Sequence, residues 1–488
     1  MTTKPSLKKN AVLNAIRTVM SLLFPLITFP YSSRILAPDG IGSVNFARSV
    51  ASYFGMIAAL GISMYGIREA AKIRDDQKKL NQFSCELFCI NMISTLIAYI
   101  LFFLAVACIP KLYEYRWLLC ICSSAILFET LGINWLYTAE EDFFYISLRS
   151  VLFQAFSVLV LFFLVKTKED ILQYAFVTVI ASVGSNILNF FHAKKYIRFK
   201  TSEPLHLKRH IKPILVFFGM NVTASIYTML DTVMLGFLTN DYQVGLYTAS
   251  TKLNKMVLAV VTSVSTVLLP RLSYYAGEDN KEKFNDLVYK SVDLLFLISI
   301  PCAIGLSLVT EPAILLFSGI EYKAAIPIMR TMNPIIVIIG LSALLGIQIL
   351  VPMNKQKYTL ISEIIGAVSN FTLNIILIPR YSAMGAAIAT VIAETLVTST
   401  QIFFARKYFD LKKFLRPFLR YIANACTMGG CVYLIGMHIT NIPAKLFVPA
   451  LCGAIVYFIL LVLEKNSFVM QYLRAIRIKL TSLSCCLF

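Results

Sequence analysis

The chain has 488 residues, of which 58% are hydrophobic and 15% charged, and its formal net charge is +19. Soluble domains carry roughly a quarter charged residues, so this composition argues against a soluble enzyme and excludes a disordered or fibrous chain. A basic excess of this kind is typical of nucleic-acid binding or of a membrane protein whose inner loops face anionic lipid. The positions of the charges decide between these two classes.

Fourteen apolar stretches follow one another along the chain, and a helix of ~20 apolar residues is long enough to cross a bilayer. Short segments rich in charged residues, Pro or Asn separate them. The pattern predicts an all-α polytopic membrane protein with about fourteen transmembrane helices, called predicted spans 1 to 14. The stretches cover residues 11–33, 41–66, 84–109, 117–138, 146–165, 171–193, 213–238, 245–270, 288–309, 326–351, 358–379, 384–405, 418–440 and 446–463.

The basic residues in the loops and tails, with those near the ends of the stretches, are divided unequally between the two sides of the membrane. The side that holds the N-terminus carries 32 Lys and Arg, including Arg149, and the opposite side carries 8. Cytoplasmic loops carry the excess of basic residues in membrane proteins, so both termini are predicted to be cytoplasmic. Because the positive charge is spread over every inner loop, we expect no nucleic-acid partner.

A long basic segment, residues 194–212, separates six predicted spans from eight. We therefore predict an N-terminal bundle of spans 1 to 6 over residues 1–193 and a cytoplasmic linker over residues 194–212. A second bundle of spans 7 to 12 follows over residues 213–405. Residues 406–488 hold spans 13 and 14 and a basic tail.

The two predicted bundles share a sequence pattern at an offset of 203 residues, which pairs Gly42 with Gly245 and Arg68 with Arg271. In both copies an outer loop leads to a Gly, then to a helix with a cation one to two turns in, then to a basic inner end. Such repetition is typical of transporters built from two halves around a central site. Chance recurrence of Gly and small residues in membrane helices is the alternative interpretation.

Several charges fall inside the predicted spans, where a charge costs a few kcal/mol or more unless it faces water or a partner. Cations at such positions are Arg17, Arg48, Lys252, Lys255 and Arg330, and anions are Glu86, Glu129, Asp231, Asp293, Glu363 and Glu394. Arg330, Glu86 and Asp293 lie near span ends, where snorkelling to the interface explains them. The deeper charges are the functional candidates.

Arg48 shares a helix face with Asn45, and Lys252 shares one with Lys255. We hypothesise that these residues, with Arg17, line one cationic cavity between the bundles that attracts a phosphate or pyrophosphate. The alternative is a structural ion pair, for example of Arg48 or Lys252 with Asp231.

Motifs of catalysis and metal binding are absent: the sequence contains no Walker A pattern, no GxGxxG and no HExxH. The four histidines are scattered, and the eleven cysteines lie mostly within apolar stretches, where Cys behaves as a small hydrophobe. We therefore expect no enzyme activity, no metal and no bound cofactor.

Four segments resemble the bacterial polysaccharide-transport (Wzx-like) repeat-unit flippases, a family in the superfamily that also contains the MATE drug exporters and the lipid II flippase. They are Asn134–Ser150 (NWLYTAEEDFFYISLRS), Thr310–Tyr322 (TEPAILLFSGIEY), Gly340–Lys357 (GLSALLGIQILVPMNKQK) and Ile365–Gly385 (IGAVSNFTLNIILIPRYSAMG). The resemblance extends over nearly the whole chain.

The resemblance implies a substrate, a route and a fold. The substrate is an undecaprenyl-pyrophosphate-linked oligosaccharide, which moves from the inner to the outer leaflet of the bacterial plasma membrane by alternating access. An ion gradient of H⁺ or Na⁺ drives it, and a polymerase and other polysaccharide-assembly proteins are possible partners. The implied fold is a V of two helix bundles with two helices appended.

The resemblance also assigns residues. Related lipid II flippases line the cavity with cations on helices 1, 2 and 8, which correspond to Arg17, Arg48 and Lys252 or Lys255. They also carry an acidic residue at the position of Asp39. Candidates for the carboxylate that couples transport to the ion gradient are Asp231, Glu129, Glu363 and Glu394.

Two other functions remain open at this point. A MATE-type exporter of cationic drugs requires an anionic cavity, against which the deep cations argue. A non-transporting subunit of a polysaccharide-assembly complex predicts that the deep charges can be neutralised without loss of function.

Overall fold

The computed structural model describes residues 7–199, 204–277, 281–466 and 468–471, and the regular structure in these ranges is helical throughout. The α-helices are α1 (Leu7–Ala59), α2 (Ile62–Ile73), α3 (Gln77–Cys108), α4 (Pro110–Glu114), α5 (Arg116–Gly132), α6 (Asn134–Ala139), α7 (Phe143–Leu164), α8 (Ile171–Val179), α9 (Asn186–His192), α10 (Lys208–Leu238), α11 (Asp241–Gly277), α12 (Lys281–Leu308), α13 (Thr310–Phe317), α14 (Ala325–Met332), α15 (Ile335–Ala343), α16 (Gln356–Ala405), α17 (Leu411–Met437) and α18 (Ile442–Leu463). Short π-helical turns, Ile180–Gly184 and Leu344–Leu350, join α8 to α9 and extend α15.

Within the described ranges, nine helical segments are long and apolar enough to cross a membrane. Two of them, Leu23–Ile73 and Gln356–Ala405, hold two predicted spans each, and α5, α10 and α11 hold the others that the sequence predicts. Large apolar side chains such as Phe163 and Leu463 are 75% and 72% exposed, as contact with lipid requires. The prediction of an all-α polytopic membrane protein is confirmed.

The two longest helices are each interrupted where the sequence predicts a loop between spans. Ala37 interrupts α1 with φ +57°, and Ser382 interrupts α16 with φ +50°. Ala37 directly precedes Pro38, and the residue before a proline is disfavoured in the helical region. The chain therefore turns at Ala37 between predicted spans 1 and 2.

Two further interruptions lie inside predicted spans, where hydropathy gives no signal. Leu60 and Gly61, with φ +45° and +73°, separate α1 from α2, and Ile133, with φ +42°, separates α5 from α6. Irregular backbone at membrane depth is tolerated where it lies in protein or lines a wet cavity. Both breaks lie beside cavities described below.

Polar residues cap the helices that start at the membrane surface. The carboxylates of Asp76, Asp142 and Asp410 accept hydrogen bonds from backbone N–H groups at the starts of α3, α7 and α17, and Asn441 does so at α18. Each cap satisfies a backbone donor that the helix itself leaves unpaired. These side chains therefore fix where the membrane helices begin.

By internal packing the chain divides into two compact units. The first unit comprises Met1–Thr248 and Asn374–Ala383, and the second comprises Ala249–Leu373 and Met384–Phe488. Because α10 packs against α1 and α2, it belongs to the first unit. The domain boundaries predicted at residues 193, 212 and 405 stay a prediction.

Each unit has an apolar core of its own. In the first unit Tyr65, Phe83, Trp135 and Tyr137 are buried together where α2, α3 and α6 meet. In the second unit α12 packs against α17 and α18, and the core includes Phe296 and Tyr421. The first unit contains the cavity that bears on function.

Candidate functional site

A cavity of about 500 Å³ opens within the first unit, between α1, α5 and the π-helical turn after α8. Arg48, Ser52 and Gly55 line it from α1, and Glu129 lines it from α5. Its lining is otherwise mainly small and apolar residues. The cavity brings together two of the predicted site residues, Arg48 and Glu129, which carry opposite charges.

Arg48 is exposed to this cavity, and its guanidinium makes no hydrogen bond or ion pair with any residue that the structure describes. The alternative of a structural ion pair between Arg48 and Asp231 is therefore not realised. The neighbouring Ser52 hydroxyl donates to the Arg48 carbonyl oxygen at 2.8 Å, so it does not occupy the guanidinium. Arg48 thus keeps its five N–H donors available for an anion.

The other predicted cations are less closely defined. Asn45 is half-buried and its amide donates to the Ile41 carbonyl at 2.7 Å, so it contacts its own helix rather than the cavity. Arg17 lies on α1, but its side chain falls outside the described residues. In the second unit, Lys252 is half-buried and Lys255 exposed on α11. One shared cationic cavity for all of them stays a prediction.

The predicted coupling carboxylates differ in their surroundings. Asp39 is exposed after the turn at Ala37, and Glu129 is exposed to the cavity. Glu363 is half-buried and Glu394 buried, both on α16 in the second unit. Asp231 is buried in the first unit.

Asp231 is held by two donors. The Tyr247 hydroxyl donates to one of its carboxylate oxygens, and the Asn374 amide donates to the other at 2.7 Å. Tyr247 lies on α11 and Asn374 on α16, so the carboxylate ties three helices together. A buried carboxylate needs such donors because burial without them is costly.

One end of the first unit is closed by glycines, and we call it the glycine end, defined by Pro38, Gly42, Asp241 and Gly245. A Cβ placed on Gly42 would overlap the Asp241 carbonyl oxygen, and one placed on Gly245 would overlap the Pro38 carbonyl oxygen. The offset of 203 residues maps Gly42 on Gly245 and also Pro38 on Asp241. The contact is therefore reciprocal between the two predicted repeats, which supports the repeat over chance recurrence of Gly.

The far end of the same unit is closed by ionisable side chains, and we call it the charged end, defined by Tyr65, Glu86, Arg209 and His210. Glu86 accepts from the guanidinium of Arg209 at 2.6 Å and from His210 Nε2 at 2.7 Å. The other ring nitrogen of His210 is hydrogen-bonded to the Tyr65 hydroxyl at 2.7 Å. The backbone N–H of His206 donates to Glu86 at 2.8 Å.

This geometry corrects the expectation that Glu86 snorkels to the interface, because its side chain is 0% exposed. Three of its partners belong to the predicted basic linker, which therefore packs onto α3 instead of hanging free. The partners lie about 120 residues from Glu86 in sequence, so no local pattern could reveal them.

Arg149 is a residue whose position the sequence misplaced. We counted it among the inner-loop cations, but it lies on α7 and is 6% exposed. Its guanidinium donates to Ser185 O and Asn186 Oδ1 at 3.2 Å and to Asn134 Oδ1 at 3.3 Å. Asn134 is the first residue and Arg149 the last but one of the segment Asn134–Ser150, which carries part of the family resemblance. Their presence in one such segment is the feature of the sequence that could have indicated their contact.

No group of three or more His, Cys, Asp and Glu residues in the described ranges could hold a metal ion. The cavity instead offers one free guanidinium, one free carboxylate and hydroxyl groups, which bind ligands reversibly through hydrogen bonds and charge.

Comparisons with known proteins match this architecture. A model of the polysaccharide biosynthesis protein family matches residues 7–276, and a model of the MatE family matches residues 217–377. A protein of Escherichia coli (strain K12) called a putative O-antigen transporter is 24% identical over 413 residues, which cover 83% of this chain and 98% of that protein. A probable flippase, AglR, of Haloferax volcanii is 24% identical over 254 residues, 50% of this chain and 52% of that protein.

A solved structure of the lipid II flippase MurJ in an inward closed conformation superposes with a TM-score of 0.74. The match covers 94% of this chain and 99% of that one at 20% sequence identity. At this identity the likeness establishes the fold, and the fold alone does not assign the substrate.

Proposed function

The chain belongs to the polysaccharide biosynthesis protein family, and on that premise we propose that it is a flippase for a lipid-linked oligosaccharide. It moves an undecaprenyl-pyrophosphate-linked repeat unit from the inner to the outer leaflet of the bacterial plasma membrane by alternating access. The product feeds the synthesis of a cell-surface polysaccharide such as O-antigen, capsule or exopolysaccharide. The names of the two relatives described above support this substrate class.

The observation that carries the proposal is the unpaired Arg48 in a cavity among membrane helices. A pyrophosphate with sugars attached is rejected by the hydrocarbon core, because its polar groups would lose their water there. A cavity with a free guanidinium replaces part of that hydration through charge-assisted hydrogen bonds to phosphate oxygens. A single cation also binds the head group weakly enough for the head group to dissociate again.

The orientation is part of the proposal. The excess of Lys and Arg on one side supports a plasma-membrane protein with both termini in the cytoplasm. In that orientation the charged end faces the cytoplasm and the glycine end faces outward. A polymerase and other assembly proteins are the partners that would receive the product, and the chain itself performs no bond-breaking step.

Transport against a gradient needs an energy source, for which we propose a gradient of H⁺ or Na⁺. Asp231 is the best-supported coupling carboxylate, because it is buried and its donors lie on two other helices, α11 and α16. A change in its charge would therefore alter the contact among three helices. Dissipating each gradient separately in vesicles identifies the ion, and transport that survives both treatments contradicts the coupling.

Arg48→Ala tests the proposal in cells that produce the polysaccharide. We expect surface polysaccharide to fall at least tenfold at an unchanged protein level, since a charge-assisted contact contributes about 1.5–3 kcal/mol. The matched control is Arg116→Ala, because Arg116 stacks on Tyr113 and Trp117 at the start of α5, away from the cavity. Unchanged polysaccharide in the Arg48 variant would overturn the cationic-cavity mechanism.

A MATE-type exporter is the second candidate, favoured by the MatE match over residues 217–377 and by the carboxylate of Glu129 in the cavity. It predicts that removal of the protein sensitises cells to cationic drugs and leaves the polysaccharide intact. A non-transporting assembly subunit instead predicts that both Arg48→Ala and Glu129→Gln support full polysaccharide synthesis.

A further inference from the structure

A second, smaller cavity of about 130 Å³ adjoins the Arg48 cavity within the first unit. Gly55, Ala59, Ile126 and Glu129 line both cavities, so the two spaces adjoin at these residues. The volume equals that of about four water molecules, which exceeds a bare ion and suits part of a sugar ring. Glu129 and the smaller cavity therefore lie next to the space in which Arg48 can hold an anionic group.

The smaller cavity has a polar lining, in contrast to the mainly apolar Arg48 cavity. Ser63 of α2, Asn91 of α3, Thr130 of α5 and Asn134 of α6 contribute side chains to it. The interruption at Ile133 lines this cavity, and the interruption at Leu60–Gly61 falls between two of its lining residues, Ala59 and Ser63. The breaks thus make room for a polar pocket where continuous helices would pack side by side.

The hydrogen bonds inside the pocket leave mostly acceptors for a ligand. The Asn91 amide group donates to Thr130 Oγ1 at 3.2 Å, and the Thr95 and Thr130 hydroxyls are paired at 2.7 Å. The carboxylate of Glu129 has no hydrogen bond or ion pair among the described residues and is exposed to the cavity. An ionised carboxylate only accepts hydrogen bonds, so it can bind the O–H donors of a sugar.

We propose that this pocket, with Glu129 beside it, is a subsite that binds hydroxyl groups of a sugar. The sugar is the one next to the pyrophosphate that Arg48 binds. The inference rests on the proposed function and deepens it, because it assigns recognition of the lipid-linked phosphate and recognition of the sugar to different residues. Gly55, which both cavities share, lies seven residues or ~10 Å beyond Arg48 along the helix axis. The two subsites are therefore separate enough to hold two chemically different parts of one molecule.

The test measures binding by purified full-length protein in nanodiscs. The probes are polyprenyl pyrophosphate without sugar and the same lipid carrying one hexose or one N-acetylhexosamine. We expect wild-type protein to bind at least one glycosylated probe about tenfold or more tightly than the bare lipid, as a charge-assisted hydrogen bond predicts. Glu129→Gln should bring this ratio close to one, while Arg48→Ala should weaken all probes.

The matched control is Glu114→Gln, the same chemical change at an exposed glutamate outside both cavities, and it should keep the wild-type ratio. Asn91→Ala provides a second variant of the pocket that leaves the carboxylate in place, and it should lower the ratio as well. A wild-type ratio in both pocket variants overturns the subsite. A change in cation dependence without a change in the ratio assigns Glu129 to ion binding and also overturns it.

The outcomes separate the subsite from the proposed function. If wild-type protein binds no lipid pyrophosphate, the proposed function fails, and if Arg48→Ala binds all probes normally, the cationic-cavity mechanism fails. If Arg48→Ala loses every probe while Glu129→Gln keeps the sugar preference, only the subsite fails.

Discussion

The glycine end and the charged end of the first unit are both closed, but by opposite means. At the glycine end the backbone of Gly42 touches the backbone of Asp241, and side chains are excluded from the contact. At the charged end side chains make the contact: Glu86 joins α3 to Arg209 and His210 in the first turn of α10 and to the backbone N–H of His206 before it. One contact depends on shape and the other on charge.

The difference has an energetic meaning. Contacts between non-bonded atoms contribute only about 0.1–0.2 kcal/mol per pair, and Cα–H to carbonyl contacts about 0.5–1 kcal/mol. Separating a buried ion pair leaves a charge without compensation, which costs about 3–5 kcal/mol. The backbone contact at the glycine end therefore separates at less cost than the buried ion pair at the charged end, and the hydrogen bond from the Tyr115 hydroxyl to Asp241, 2.7 Å long, must break with it.

The largest effect is expected for Gly42→Ala, because the new methyl group cannot occupy the position of the Asp241 carbonyl oxygen. We expect the glycine end to open and transport to fall at least tenfold, since the overpacked contact costs typically 1–3 kcal/mol. A cysteine introduced by Ser43→Cys, at a residue that is 4% exposed, reports opening through faster reaction with a membrane-impermeant maleimide.

The control for that prediction is Gly430→Ala, since nothing lies within 4 Å of a Cβ at that position. Gly245→Ala should match Gly42→Ala, and the double variant should be hardly worse than either single one, because one methyl group already opens the contact. Slow maleimide labelling together with normal transport in Gly42→Ala would contradict the steric role of this glycine.

The next effect is on folding stability and is expected for Glu86→Gln at the charged end. The neutral amide keeps an acceptor but loses the charge that compensates Arg209, so we expect the free energy of unfolding to fall by about 3 kcal/mol. The value lies at the lower end of that range because the Arg209 side chain is 52% exposed and can turn to water. Denaturant titration of the purified protein measures the loss.

Glu69→Gln is the matched control, since Glu69 pairs with Arg68 and Lys72 at a more exposed position. Such pairs contribute about 0–1 kcal/mol, so this variant should stay near wild type. Equal losses in the two variants would show that burial of Glu86 adds nothing to its contribution.

The smallest effect concerns pH at the glycine end. Burial raises the pKa of Asp241, and the Tyr115 hydroxyl, which donates to it at 2.7 Å, and Lys111 oppose the rise. The pKa of Asp241 is therefore higher in the folded than in the unfolded protein, so protonation of this carboxyl group stabilises the fold. The stabilisation is fully present below the unfolded pKa of about 4 and is lost as pH rises through the folded pKa. The direction follows from burial, which disfavours the charged carboxylate.

Asp241→Asn should therefore remove a small increase, between pH 4 and neutral pH, in the labelling rate of the Ser43→Cys reporter divided by the rate in denatured protein at the same pH, a ratio that cancels the ionisation of the thiol itself. The effect is small because Asp241 is only half-buried, so water screens its charge. A steeper pH dependence in the Asn variant than in the parent would contradict the assignment to Asp241.

The sequence predicted the membrane helices because a long apolar segment in a chain with so few charged residues can form few structures other than a membrane-spanning helix. It also predicted the turn before Gly42, where Pro38 excludes a continuous helix. It did not predict the breaks at Gly61 and Ile133, because the hydropathy on either side is equally high and the break is decided by packing. The pocket that these breaks create was therefore invisible in the sequence.

The candidate site was predicted in part. Arg48 and Glu129 were named from their depth in predicted spans, which requires only helix geometry. That they share a cavity depends on how α1 and α5 pack, and that Glu86 is buried depends on residues ~120 positions away. Arg149 was misplaced because a span end that is uncertain by several residues separates a loop cation from a buried one.

The reciprocal contact at the glycine end has the form of an isologous interface, in which residue i of one copy meets residue j of the other and the reverse. Two identical chains related by a two-fold axis make such contacts, and here both copies are parts of one polypeptide. Equivalent positions of the two repeats should therefore tolerate substitution to a similar degree. A substitution at Gly42 should be as harmful as one at Gly245, and a substitution at Pro38 as harmful as one at Asp241. Random mutagenesis should reveal this as paired intolerance at positions 203 residues apart.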